Sequence, residues 1–260
     1  MAEFLDVIGP LTDPTDAGIA FDLVIPSLPG FGFSGPTRSR GWDTYRIATV
    51  WAELMRRLGY ARYGAAGNDW GAHIAPEIGR AAPEAVVGVH VTQIFSDVDL
   101  AEFDRTSPEE RSAVEEHEWF RRHMDAYGYL QTQQPQSLAH ALTDSPVGLL
   151  GWHNLIYRGA LDADFVLTNV MIHWLTGTVA SSMRIYYENG RSRRPSEPTT
   201  VPLGLAQFRD DIHAIRRFAE RDHANIVSWN VYDAGGHLAA HQEPDLLVGD
   251  LRTFFTGLKQ

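Results

Sequence analysis

Gly67-Asn68-Asp69-Trp70-Gly71 is the stretch on which the fold turns. A strand that bends sharply into a helix brings neighbouring backbones close together, so the bend tolerates a reactive side chain only between small residues. Asp69 therefore reads either as a nucleophile held at the bend or, more simply, as the cap of the helix that follows. Working outward, residues 63–66 read as the strand entering the bend and residues 72–80 as the helix leaving it, despite Pro76. Residues 86–91 form a buried strand. Upstream, Ile47, Trp51, Leu54, Met55 and Leu58 lie on one helical face that starts at Asp43 and stops at Gly59. The apolar run 21–26, followed by a Gly/Pro-rich loop, predicts a further strand. Strand, helix, strand, helix, strand implies a mostly parallel α/β sheet with right-handed crossovers.

After Ser96 the pattern changes. Residues to about 190 show helical periodicity, many Tyr, Trp, His and Gln, and hardly any strand signal, which predicts a helical cap inserted into the sheet domain. Alternation resumes with a strand over 201–208, a helix over 212–221, a strand over 226–232, and a last helix from Pro244 with Leu247, Leu251, Phe254 and Phe255 on one face. The expected division is residues 1–95, first part of the α/β core; 96–190, cap; and 191–260, second part of the core.

At 260 residues, 44% hydrophobic and 21% charged, the chain can bury a core. Its net charge of -11 disfavours nucleic acid and anionic lipid as partners. Arg191, Arg193 and Arg194 read as a solvated loop. The absence of cysteine excludes disulfides, thiolate zinc sites and a cysteine nucleophile. With no signal-like amino terminus and no long apolar run, the chain is expected to be cytoplasmic, with no membrane partner.

Two further elements fall where strands end. Asp233-Ala234-Gly235-Gly236-His237 follows the last strand, and the pair Asp210-Asp211 follows the strand before it. Taken alone, His237 is one of eleven histidines, and either aspartate could simply cap a helix. Gly30-Phe31-Gly32-Phe33-Ser34-Gly35 fits a dinucleotide fingerprint, but Pro36 follows at once and no helix opens for the pyrophosphate. His237 and His241 lack a third ligand in register for a metal, and no G-x-S-x-G occurs.

The segments Ile25-Pro26-Ser27-Leu28-Pro29-Gly30-Phe31-Gly32-Phe33-Ser34, Asn68-Asp69-Trp70-Gly71, Leu142-Thr143-Asp144-Ser145-Pro146-Val147-Gly148, Leu167-Thr168-Asn169-Val170-Met171 and Gly235-Gly236-His237 resemble the epoxide hydrolases related to the microsomal enzyme, over nearly the whole chain. The resemblance implies an α/β-hydrolase fold with a helical cap, its first strands lacking. It makes Asp69 the nucleophile, His237 the base, Asp211 the orienting acid with Asp210 in reserve, and Trp70 a backbone oxyanion donor and substrate contact. Cap tyrosines Tyr129 and Tyr186 become the donors to the epoxide oxygen, with Tyr127 and Tyr187 as neighbouring alternatives. The implied partners are a small-molecule epoxide and water, with no metal or other cofactor; a homo-oligomer stays open. A carboxylate suits the chemistry because it opens the ring to an ester that water can cleave, whereas serine would leave an ether.

The family's second oxyanion donor comes from a His-Gly-x-Pro segment that this sequence does not contain. A gap in the sheet beside residues 63–66, and a weakly stable or inactive chain, are the expectations that follow. Two other functions fit parts of the pattern. A haloalkane dehalogenase also uses Asp followed by Trp, and a degenerate hydrolase would bind an apolar ligand without turnover.

Overall fold

In the computed structural model, which describes residues 2–14, 18–97, 108–157 and 161–258, four strands run parallel in the spatial order β1-β2-β3-β4. β1 (Tyr63–Gly67) pairs with β2 (Val86–Val91), setting Gly67 opposite Val91. β3 (Leu203–Asp210) lies on the far side of β2, with Leu205 opposite Val91. β4 (Ile226–Gly236) closes the order, with Phe208 opposite Tyr232. β2 and the first part of β3 are buried almost continuously, as expected where helices cover both faces of a parallel sheet.

Helices α1 (Leu5–Thr12), α2 (Thr44–Leu58) and α3 (Trp70–Ala81) belong to the first part of the core. α2 has well-defined ends: the Asp43 side chain accepts the Arg46 N–H at 2.9 Å, and Gly59 takes the left-handed conformation at φ 89°. Its face of Ile47 and Ala48 packs on Ile74 of α3. Between β2 and β3 the described residues hold α4 (Pro108–His123), α5 (Ala126–Gln133), α6 (Pro135–Asp144), α7 (Pro146–His153), α8 (Ala163–Leu175), α9 (Val179–Ser182) and α10 (Arg184–Asn189), and no strand beyond an isolated bridge of Thr199 to His223. These helices have a core of their own around Leu142, Leu149, Val170 and Met183, which Trp152 and Trp174 join. α11 (Arg216–Asp222), α12 (Ala239–Gln242) and α13 (Pro244–Gly257) complete the chain. None of the described helices is long and apolar enough to cross a membrane.

Two expected elements change. Residues 21–26 are extended but form no ladder. A run of apolar residues becomes a strand only beside a partner, and here Phe21 and Leu23 spend their apolar surface on the cluster of Val7, Leu11, Phe208 and Leu251 instead. β1 is accordingly an edge of the described sheet. The helix expected over 212–221 starts only at Arg216, because the Gln207 side chain takes the Ala214 N–H at 2.9 Å and holds that stretch as a loop.

Candidate active site

Asp69 sits at φ 52°, ψ −119°, and is the only non-glycine with positive φ among the described residues. Such a conformation costs on the order of 1–3 kcal/mol and persists where its surroundings impose it. The imposing contact is visible: a β-carbon at Gly67 would collide with the Gly71 carbonyl, so the bend closes only with glycine there. The Asp69 side chain makes no capping hydrogen bond to α3, which removes the simpler reading of this residue. Its carboxylate receives the Trp70 backbone N–H and faces His237, whose Nε2 lies 3.4 Å from Oδ2. The side chain is 41% exposed, open to a reactant.

His237 follows the end of β4 directly. Its Nδ1 lies 3.1 Å from Asp211 Oδ1. Asp211 is buried, and its Oδ1 also accepts the Ile212 N–H at 2.9 Å. Asp210 points outward to Arg209, whose Nε and Nη2 each lie 3.0 Å from its carboxylate. β3 ends at Asp210 and the chain turns there, the Asp211 N–H reaching the Phe208 carbonyl at 3.3 Å, so one aspartate is carried inward and its neighbour stays outward.

Of the two cap tyrosines expected, Tyr186 is at the site and Tyr129 is not. Tyr186 stacks edge-on against Trp70 with ring centroids 4.8 Å apart, and the Trp70 indole hydrogen-bonds its hydroxyl. Tyr129 is 70% exposed. Tyr127 takes the expected place, edge-on to Tyr186 at 6.3 Å and lining the cavity over Asp69. Residues two apart lie roughly 200° apart around a helix, so α5 turns Tyr129 out when it turns Tyr127 in. Gln131, four residues after Tyr127 and on the same face, is buried, a polar residue that gives no inward signal in the sequence. Trp152 and Trp174 pack in the core of the helices between β2 and β3, and His173 meets Phe31 edge-on at 5.9 Å.

Three site residues went unread in the sequence. Gln93, just beyond β2, accepts the Asp69 N–H at 2.8 Å and donates to Asp211 Oδ2 at 2.6 Å. Asn68 donates to the His237 carbonyl at 2.6 Å and to Glu3 Oε1 at 2.7 Å, while its own oxygen accepts from Thr92 at 2.9 Å. Glu3 is thereby drawn beside the elbow, where burial raises its carboxyl above the usual range against the opposing Asn68 hydrogen bond.

The electrostatics pair the reacting groups. Burial opposes the charge on Asp69, but the hydrogen bond and charge of His237, with the Trp70 N–H, outweigh it and hold the carboxyl below its usual value. Burial likewise opposes charge on His237, and hydrogen bonds to Asp211 and Asp69 raise it well above 6.5 nonetheless. Desolvation, followed by the charge of Asp69, keeps Tyr186 protonated to well above its ordinary value of 10. His73, four residues along α3, is pushed by burial down to about 4 and stacks on Phe95 at 4.3 Å. Over Asp69 and His237 lies a cavity of about 830 Å³, walled by Phe95, Trp119, Phe120, Tyr127 and Ile156.

A parallel sheet with an aspartate at its strained elbow, a histidine after the last strand and a second aspartate between them in chain order defines an α/β-hydrolase. Known proteins narrow the class. A relative from Stigmatella aurantiaca that bears an epoxide hydrolase name is 39% identical over 99% of this chain and 62% of its own length. Epoxide hydrolase 1 of Sus scrofa is 30% identical over 99% of this chain and 66% of its own. The crystal structure of juvenile hormone epoxide hydrolase from the silkworm Bombyx mori superposes with a TM-score of 0.88 at 25% identity, covering 99% of this chain and 69% of that one. No family model matches. The chain is a homologue of the epoxide hydrolases of the microsomal and juvenile-hormone types, and it spans 62% to 66% of the length of these two relatives.

Proposed function

We propose that this chain carries the chemistry of epoxide hydrolysis through an ester on Asp69. The observation that carries the reading is the strained Asp69 carboxylate, set 3.4 Å from His237 Nε2, with Tyr127 lining the same cavity and Tyr186 packed between Tyr127 and Trp70. Asp69 attacks a ring carbon from behind, the C–O bond opens, and the ring oxygen takes a proton from a tyrosine hydroxyl. Phenol donors there stabilise the charge that develops in the transition state more than the neutral ether.

Alkylation removes the negative charge of Asp69 and with it one cause of the raised His237 pKa, so the imidazole becomes a competent base at that moment. His237, oriented by Asp211, then takes a proton from water, which adds to the ester carbonyl. The resulting oxyanion meets the Trp70 N–H. Collapse breaks the ester C–O bond: the leaving alkoxide takes the proton held by His237, the new carboxyl gives its proton to the tyrosinate, and a vicinal diol departs from a carboxylate that carries one oxygen from solvent.

The Trp70 indole is engaged by the Tyr186 hydroxyl, which favours the epoxide reading over a dehalogenase needing that N–H for halide. The assembled Asp69, His237 and Asp211 favour turnover over mere ligand binding. The test is one turnover of an epoxide in heavy-oxygen water, followed by mass spectrometry of the Asp69 peptide. Label in that carboxylate is expected; label confined to the diol would point to direct attack by water and overturn the ester route.

A further inference from the structure

We propose that Gln93 is a positioning residue that sets the elbow amide and the orienting carboxylate with one side chain. Its meaning for the reaction rests on the function proposed above; its geometry does not. The strand order dictates the opportunity. β1 ends in the nucleophile and β3 in the acid, and β2 lies between them, so a side chain just beyond β2 can reach both. Gln93 is 1% exposed at that place.

The chemistry leaves one orientation for its amide. The Asp69 N–H can only donate and the Asp211 carboxylate only accept, so Oε1 faces Asp69 at 2.8 Å and Nε2 faces Asp211 Oδ2 at 2.6 Å. Each contact answers a specific need. The β1–β2 ladder ends with Gly67 opposite Val91, so the Asp69 N–H beyond it needs an acceptor from outside the ladder. The terminal torsion of an aspartate is broad and twofold, and the other contacts to Asp211, from His237 and the Ile212 N–H, both fall on Oδ1 and leave Oδ2 unheld. Gln93 occupies Oδ2 and leaves Oδ1 to the imidazole at 3.1 Å. Both nitrogens converge on one carboxylate, which is why Nε2 also lies 3.1 Å from His237 Nδ1.

That proximity supplies a test that passive packing would not pass. A carboxylate at position 93 would stand within reach of Nδ1, so Gln93→Glu combined with Asp211→Asn exchanges amide and acid while keeping every donor and acceptor supplied. In the full chain we expect Gln93→Met to speed hydrogen exchange at the Asp69 amide by about tenfold or more and to move the His237 Nδ1–H resonance. Breakdown of the Asp69 ester in a single turnover should slow by up to about a hundredfold, the scale of small misplacements of reacting groups, with KM nearly unchanged. The double exchange should release diol at least about tenfold faster than Asp211→Asn alone.

Unchanged Asp69 exchange and an unmoved Nδ1–H signal in folded Gln93→Met would overturn the proposal, as would a double exchange no better than Asp211→Asn. Should Gln93→Met fail to fold, the double exchange decides, through the Nδ1–H signal as well as turnover. If the wild-type chain forms no ester at all, the function proposed above falls, while the resonance and the exchange rate still judge Gln93.

Discussion

His90 with Asp250 and His237 with Asp211 are two of the histidine–aspartate pairs among the described residues, and of these two only the second faces a reactant. His90 on β2 approaches Asp250 of α13 at 2.7 Å, and both side chains are 1% exposed. Asn230 and Tyr232 donate to the other oxygen of Asp250 at 2.8 and 2.5 Å, so that carboxylate is saturated and sealed within the core. His237 and Asp211 are slightly farther apart at 3.1 Å. Their imidazole, however, keeps Nε2 pointed at a strained third group beneath a cavity. A close histidine–aspartate contact is thus no mark of catalysis by itself; the unspent nitrogen and what stands opposite it are.

Substitution should separate the pairs, and the largest effect belongs to the group opposite that nitrogen. Asp69→Ala is expected to lower diol formation by at least about 10⁴-fold, the scale of removing a nucleophile, while thermal melting stays level or falls slightly, since alanine keeps the strained φ of 52°. Next, Asp211→Asn should cost about 10³- to 10⁴-fold in ester breakdown with little change in melting. Asp250→Asn should do the reverse, losing roughly 3–5 kcal/mol of stability as one partner of a buried pair is removed while turnover per folded molecule is kept. Equal losses of activity from both aspartates would break the contrast.

The tyrosines sharpen it further. Tyr186→Phe and Tyr127→Phe are each expected to slow ring opening by about 10²-fold, as loss of one transition-state donor does, measured as ester formation in the first turnover. Tyr129→Phe should stay near wild type. The smallest effect is on the pH dependence of melting, where the pairs have opposite signs. Burial raises the Asp250 carboxyl, but hydrogen bonds from His90, Tyr232 and Asn230 leave it below 3.8. Its stabilisation is complete above that value and is lost as pH falls through the lowered one. His237 is raised well above 6.5, so its contribution is complete below 6.5 and is lost as pH rises through the raised value. Asp250→Asn should flatten the acid side of the profile and Asp69→Ala the alkaline side.

How legible each feature was depended on the kind of constraint behind it. Asp69, Asp211 and His237 converge because each follows a strand end, and strand ends can be read from apolar runs and glycines. The resemblance points to Tyr129 with Tyr127 beside it, and the helix pattern does not choose between them, because α5 buries Gln131 while leaving Leu130 37% exposed. The residues 21–26 looked like a strand because composition records burial, not the presence of a pairing neighbour. Gln93 left no signal, since a polar residue beyond a strand resembles any loop until three-dimensional neighbours give it partners, and the motif around Asn68 did not disclose that its side chain ties His237 to Glu3.

β1 has one further consequence. Tyr63-Gly64-Ala65-Ala66-Gly67 carries no charged side chain and no proline, the usual guards against a foreign strand docking along an unpaired border. A strand supplied along that border would therefore meet neither charge nor proline, and it would lie directly beside the segment that delivers the nucleophile.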